Sequence, residues 1–107
     1  MQAYHFLQAN MKAGHGREKA WKVGDERTYK GKYPIKLCEH GYHASPTLWD
    51  ALKYAPGPKA CIVEISEPVE KDESKYVSAT RELLKAVDVS KELRLFACAV
   101  AEHALEN

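Results

Sequence analysis

A chain of 107 residues with 45% hydrophobic and 29% charged residues has the balance of an ordinary globular domain, and its length suits a single compact domain over 1–107. The formal net charge of +1 gives no general attraction for nucleic acid, and no RNA-binding or helix-turn-helix signature makes nucleic acid an expected partner. The longest apolar run, Leu95 to Ala101, falls far short of the roughly 20 residues of a membrane helix, so no membrane partner is expected.

The opening MQAYHFLQAN has no basic start followed by an apolar stretch, so no secretory signal is read there. Tyr4-His5-Phe6-Leu7 reads as an N-terminal strand. Asn10 to Gly16 has two glycines and no periodicity, which reads as a loop. Trp21 to Gly24 restarts apolar alternation and ends in a turn at Gly24-Asp25, and 28–32 reads as a short edge strand or loop. The first 36 residues hold eight Lys/Arg against three Asp/Glu, and the remainder eight against twelve. That basic third reads first as a solvated loop.

Ile35 to Cys38 reads as a strand, Glu39-His40-Gly41 as a turn, and Tyr42-His43-Ala44 as a second short strand. Ser45-Pro46 then predicts a helix start, because serine caps exposed N–H groups and proline suits the first helical position. Leu48, Ala51, Leu52 and Ala55 give a helix over about 46–55, stopped by Pro56-Gly57-Pro58. Ala60 to Ile65 is dense in β-formers and reads as a strand ended by Glu67-Pro68. A charged turn over 70–74 leads to a strand over 75–80, and 81–86 reads as either a helical turn or further strand. Asp88 or Ser90 caps a C-terminal helix over about 89–105. Its Leu93, Phe96, Ala97, Val100, Ala101 and Ala104 form one apolar face expected to pack on the sheet. The fold class is α+β: a small, mostly antiparallel sheet, one short helix and a longer C-terminal helix.

Three cysteines, Cys38, Cys61 and Cys98, are odd in number and widely spaced, as expected of reduced thiols in a cytoplasmic protein. Cys38, His40 and His43, with Cys61, offer zinc-ligand chemistry, yet structural zinc is usually held by two close pairs and no second pair exists. No metal site is therefore expected. Cys38 beside His40 or His43 also has the chemistry of a thiolate nucleophile and its base, but the turn at Gly41 breaks the shared strand face. Lys75, Ser78, Thr80 and Arg81 read first as a solvated strand face, with a row that contacts phosphate oxygens as the alternative. Tyr42, Trp49 and Tyr54 read either as half-buried packing residues or as walls of a small-ligand pocket.

The segment GYHASPTLWDALKY, Gly41 to Tyr54, joins a glycine, a short strand, a helix and a closing tyrosine. It resembles the central motif of ADP-ribosyltransferase-like folds, especially the poly-ADP-ribose polymerase branch, over residues 35–66. The resemblance implies NAD or a related nucleotide as ligand, with His43 at the family's first tyrosine, Ala51 at its small pocket residue, Tyr54 at its stacking tyrosine and His5 at its ribose-binding histidine. Phe6 stands where the family carries a glycine, and the chain ends in a helix where the family has its glutamate-bearing strand. Those departures imply binding with little or no turnover. The candidate ligand-binding residues are His5, Tyr42, His43, Tyr54 and Arg81, with catalytic residues unassigned. Trp21 to Gly24, LCEHGYHAS and KYVSATREL also look like a group of small uncharacterised proteins carried by bacteriophages and their hosts. That likeness implies a bacterial host cytoplasm, and an alternative role as a non-enzymatic phage protein that binds and inhibits a host defence protein.

Overall fold

The computed structural model describes residues 1–14, 18–31, 33–37 and 40–106, with Glu106 described by its backbone alone. Among the described residues, five strands form one antiparallel sheet and two helices complete an α+β fold. In chain order these are β1 (Gln2–Leu7), β2 (Glu26–Thr28), β3 (Tyr42–Ala44), α1 (Leu48–Leu52), β4 (Lys59–Lys71), β5 (Tyr76–Asp88) and α2 (Ser90–Glu106).

The long β4–β5 hairpin is the spine. β1 pairs with β4, while β2 and β3 pair with successive stretches of the far edge of β5. The sheet then rolls back on itself. The residue after β3, Ser45, forms an antiparallel bridge with Tyr4 of β1, donating N–H to the Tyr4 carbonyl at 2.7 Å and accepting from the Tyr4 N–H at 2.8 Å. Inside this closed ring lie Ala3, Leu7, Ala44, Cys61, Val63, Ile65 and Leu83, roofed by Trp21. A smaller cluster of Ile35, Val77 and Ala79 fills the other end.

β1 and β3 lie where the residue pattern places them. β4 is longer than expected, since Pro68 does not end it. The β4–β5 register shifts between Ser66 and Val69, so Glu67-Pro68 forms an irregularity that needs no ladder donor from the proline, and pairing resumes to Lys71. Residues 81–86 are strand, and a second shift between Ile62 and Val63 brings both Leu83 and Ala86 onto the core side. In place of the expected strand over 35–38, the described residues 35–37 form an isolated bridge between Lys36 and His40. Cys38 and Glu39 of that strand and turn lie outside the described residues, as do Gly16 of the first loop and Arg17 and Lys32 of the basic stretch.

Both helices form where expected, α2 close to 89–105 and α1 shorter than 46–55, but the cap of α1 and the packing of α2 differ. α1 is capped by Thr47, whose Oγ1 accepts the Asp50 N–H at 3.0 Å, rather than by Ser45, whose backbone is engaged in closing the sheet. Its last turn tightens, with Tyr54 N–H on the Ala51 carbonyl and Ala55 N–H on that of Leu52.

The apolar stripe of α2 does not pack on the sheet. Phe96 is 51% and Val100 53% exposed, and the Phe96 and Trp49 rings meet edge to face with centroids 6.1 Å apart. Trp21 and Met11 already pack against the core on the inner face of the sheet, and the helix leaves the end of β5 with little contact, in a molecule measuring 50 × 27 × 24 Å. Phe96→Ala is therefore expected to change unfolding free energy by less than about 0.5 kcal/mol. A urea titration checks it; a loss near the ~3 kcal/mol of a core phenylalanine would place Phe96 in a core.

Candidate functional site

A cavity of ≈ 270 Å³ opens where β1, β3, α1 and the β4–β5 turn meet. β1 contributes His5, held opposite Cys61 of β4, and β3 contributes His43, held opposite Val77 of β5. Ser45 follows from the bridge that closes the ring, Ala51 from α1, and Tyr54 from the tightened turn after it. Lys75, just before β5, completes the wall. The polar lining is thus two imidazoles, two hydroxyls and one ammonium, with no carboxylate among the described lining residues.

The far wall is built from two parts joined together. Asp72 Oδ1 accepts the N–H groups of Ser74 at 2.9 Å and Lys75 at 2.8 Å, which fixes the hairpin turn. Ser74 Oγ and Tyr54 Oη share a hydrogen bond of 2.8 Å, which ties that turn to the end of α1. Lys75 Nζ then stands 4.4 Å from the centroid of the Tyr54 ring, within cation–π range.

His5, His43 and Tyr54 therefore share one cavity. Tyr42 and Arg81 do not line it; they form its support. Arg81 is only 3% exposed, and its Nη1 donates to the His43 carbonyl at 2.6 Å. Its guanidinium lies 4.6 Å from the Trp21 ring centroid and 5.0 Å from that of Tyr42. Arg27 adds a second guanidinium over Trp21 at 4.1 Å, and Glu18 accepts the indole N–H at 2.8 Å. Burial pulls the Arg81 pKa down to about 10, opposed by the Glu18 carboxylate, so it remains a cation at neutral pH. Burial, with Glu18 beside it, raises the pKa of the Tyr42 phenol. Arg81 thus props the backbone of the histidine strand.

Neither a phosphate row nor a solvated face forms from Lys75, Ser78, Thr80 and Arg81 together. Ser78 is buried and bonds to the carbonyls of Tyr42 and Thr80, Thr80 pairs with Thr28 through their hydroxyls, and only Lys75 reaches the cavity. Ser45 is a lining residue that the sequence marked only as a helix cap, and Lys75, considered in the phosphate row, lines the cavity without the other members of that row.

The zinc and thiolate ideas rested on Cys38, which lies outside the described residues. His40 stacks beside Tyr29 with centroids 6.5 Å apart, away from the cavity lining. Cys61 is buried in the core, and burial pushes its thiol up to about 11, so it is not a thiolate at neutral pH. Among the described residues no group of three or more His, Cys, Asp or Glu is placed to hold a metal. No described helix is long and apolar enough to cross a membrane.

Comparison with known proteins places the chain in a family. It belongs to the family described as Domain of unknown function (DUF7666), whose model matches residues 1–95. That span includes every residue of the cavity and stops within α2. No curated protein and no solved structure matches the chain.

Proposed function

We propose that this member of the DUF7666 family binds a nucleotide of the NAD type in the cavity, through an ADP-ribosyltransferase-like core, with little or no turnover. The observation that carries the reading is the grouping of His5, His43 and Tyr54, drawn from three separate elements, around one cavity. The Tyr54 ring offers a stacking face for a planar heterocycle, and the two imidazoles offer hydrogen bonds to a ribose or amide. The volume of ≈ 270 Å³ sits just below the roughly 300–1,000 Å³ of pockets that enclose a whole drug-sized ligand. It suits one ring-and-sugar portion, with the rest of a dinucleotide lying outside. A lining of imidazoles, hydroxyls and an ammonium supports binding rather than transfer, for which that fold class relies on a glutamate.

Calorimetry with NAD and ADP-ribose at millimolar concentration tests the reading. Tyr54→Ala is expected to weaken binding by about 1–3 kcal/mol, the worth of base–aromatic stacking. Tyr54→Phe keeps the ring and retains most of the affinity. A folded sample that gives neither heat nor a thermal shift with either ligand removes the proposal.

A second reading draws on α2: a phage protein that engages a host protein through this helix. Leu95, Phe96 and Val100 are all more than half exposed, and the family match ends at residue 95, within the helix. Under that reading Phe96→Glu abolishes capture of the host protein while the cavity keeps its ligand.

A further inference from the structure

We infer that α2 is a self-association element: two copies of this chain pair antiparallel through the stripe of Leu93, Phe96, Ala97, Val100, Ala101 and Ala104. This is independent of what the cavity binds. α2 runs for 17 residues, about 25 Å of helix. Leu93 is half-buried, and the other five residues of the stripe are exposed. Trp49, 62% exposed, meets Phe96 edge to face and widens the apolar surface there.

The order of sizes along the stripe selects a second copy as the occupant. With a two-fold axis between Cys98 and Ala99, Leu93 comes opposite Ala104 of the second copy, Phe96 opposite Ala101, and Val100 opposite Ala97. Each large side chain meets an alanine, and one register achieves this for the whole stripe. Large against small across facing positions lets two surfaces interdigitate without clash or void. A parallel pair in register sets Phe96 on Phe96 and Ala97 on Ala97, bulk on bulk and gap on gap. Charge agrees with the antiparallel order. Lys91, Glu92 and Arg94 leave the first half of the helix at +1, and Glu102 and Glu106 leave the second half at −2, with histidine neutral. Antiparallel pairing brings unlike halves together, whereas parallel pairing brings like halves together.

The exposed area sets the strength. At 62% and 51% exposure, Trp49 and Phe96 offer on the order of 200 Å² per copy, and the aliphatic stripe adds to it. A standard interface takes about 800 Å² from each partner. The pair therefore belongs at the weak end, with a dissociation constant of about 10–100 µM.

Sedimentation equilibrium of the full chain from about 5 to 500 µM brackets that constant. Wild-type protein is expected to pass from the mass of one chain to that of two. Phe96→Glu stays at one chain and melts like wild type, because Phe96 lies outside the core. A short bis-maleimide reads the orientation in a Cys38→Ser, Cys98→Ser background, in which Cys61 is buried. Leu93→Cys alone and Ala104→Cys alone give little cross-linked dimer, since like positions stand about 16 Å apart along an antiparallel pair. An equal mixture of the two cross-links.

The mass of one chain at every concentration overturns the inference and leaves the stripe to the host protein of the second reading. A dimer that survives Phe96→Glu puts the interface elsewhere and overturns it as well. Leu93→Cys that links to itself, or a mixture that doubles in mass and stays unlinked, overturns the antiparallel register.

Discussion

Gly41→Val is expected to unfold the protein, or to leave it so marginal that it melts at the start of a denaturant titration. Gly41 sits at φ +116°, a conformation that L side chains rarely adopt, directly before the strand that carries His43. A Cβ there would stand 2.6 Å from Val77 Cγ2 and 2.9 Å from the Ser78 carbonyl oxygen. Val77 is fully buried and the Ser78 carbonyl is backbone, so neither can yield cheaply. Backbone strain of roughly 1–3 kcal/mol adds to overpacking of roughly 1–3 kcal/mol, against a total stability of about 5–15 kcal/mol. Gly41→Ala meets the same first contact and falls in the same direction. Circular dichroism against urea measures both, and a wild-type midpoint for the valine variant would mean the turn is built differently.

Trp21→Ala carries the second large effect, about 3–5 kcal/mol of lost stability. Trp21 is 2% exposed, meets Tyr42 edge-on at 5.6 Å between centroids, and lies under the guanidiniums of Arg27 and Arg81. Its removal opens a void and also strips the aromatic face from a buried cation. Arg81 would then hold the His43 carbonyl with less support, so ligand affinity is expected to fall along with stability. Guanidinium denaturation followed by circular dichroism reports the first effect. A loss below about 1 kcal/mol would show that the 18–25 segment is not part of the core.

The strands at 4–7 and 42–44 are legible because a run of aromatic and apolar residues marks the first and Gly41 marks the reversal before the second. The extent of the hairpin is not. Pro68 has the local signature of a strand end, and only the presence of a paired neighbour turns it into an irregularity. Near Leu83-Leu84 the register shift breaks the two-residue period that would have marked 81–86 as strand. The stripe on α2 shows that the helix is amphipathic, yet amphipathicity is silent about what covers the apolar side. Ser45 and Thr47 are both competent caps; what decides between them is a bridge to Tyr4, 41 residues earlier in the chain.

The same division holds for the cavity. His43 and Tyr54 lie within one local motif, and His5 follows once the first strand is recognised. Lys75 arrives from a hairpin tip, and nothing local indicates that the tip folds against α1. Arg81 misleads because a charged residue on a strand ordinarily faces water, whereas here Trp21, Tyr42 and Glu18 make a buried position tolerable.

The bridge between Tyr4 and Ser45 bears on how these molecules behave when crowded together. An unpaired strand edge is a template on which another chain can add a strand, the first step toward domain swapping or fibril growth. β1 lies on the far side of β4 from β5, and it carries Ala3, Tyr4, Phe6 and Leu7, a composition prone to strand pairing. With the backbone N–H and carbonyl of Tyr4 both occupied by Ser45, the middle of that edge is withdrawn from intermolecular pairing. At the opposite margin, β2 is only three residues long and carries Glu26 and Arg27, a short charged edge that discourages strand addition. The two backbone hydrogen bonds that cover this edge are thus made by a residue that also lines the cavity.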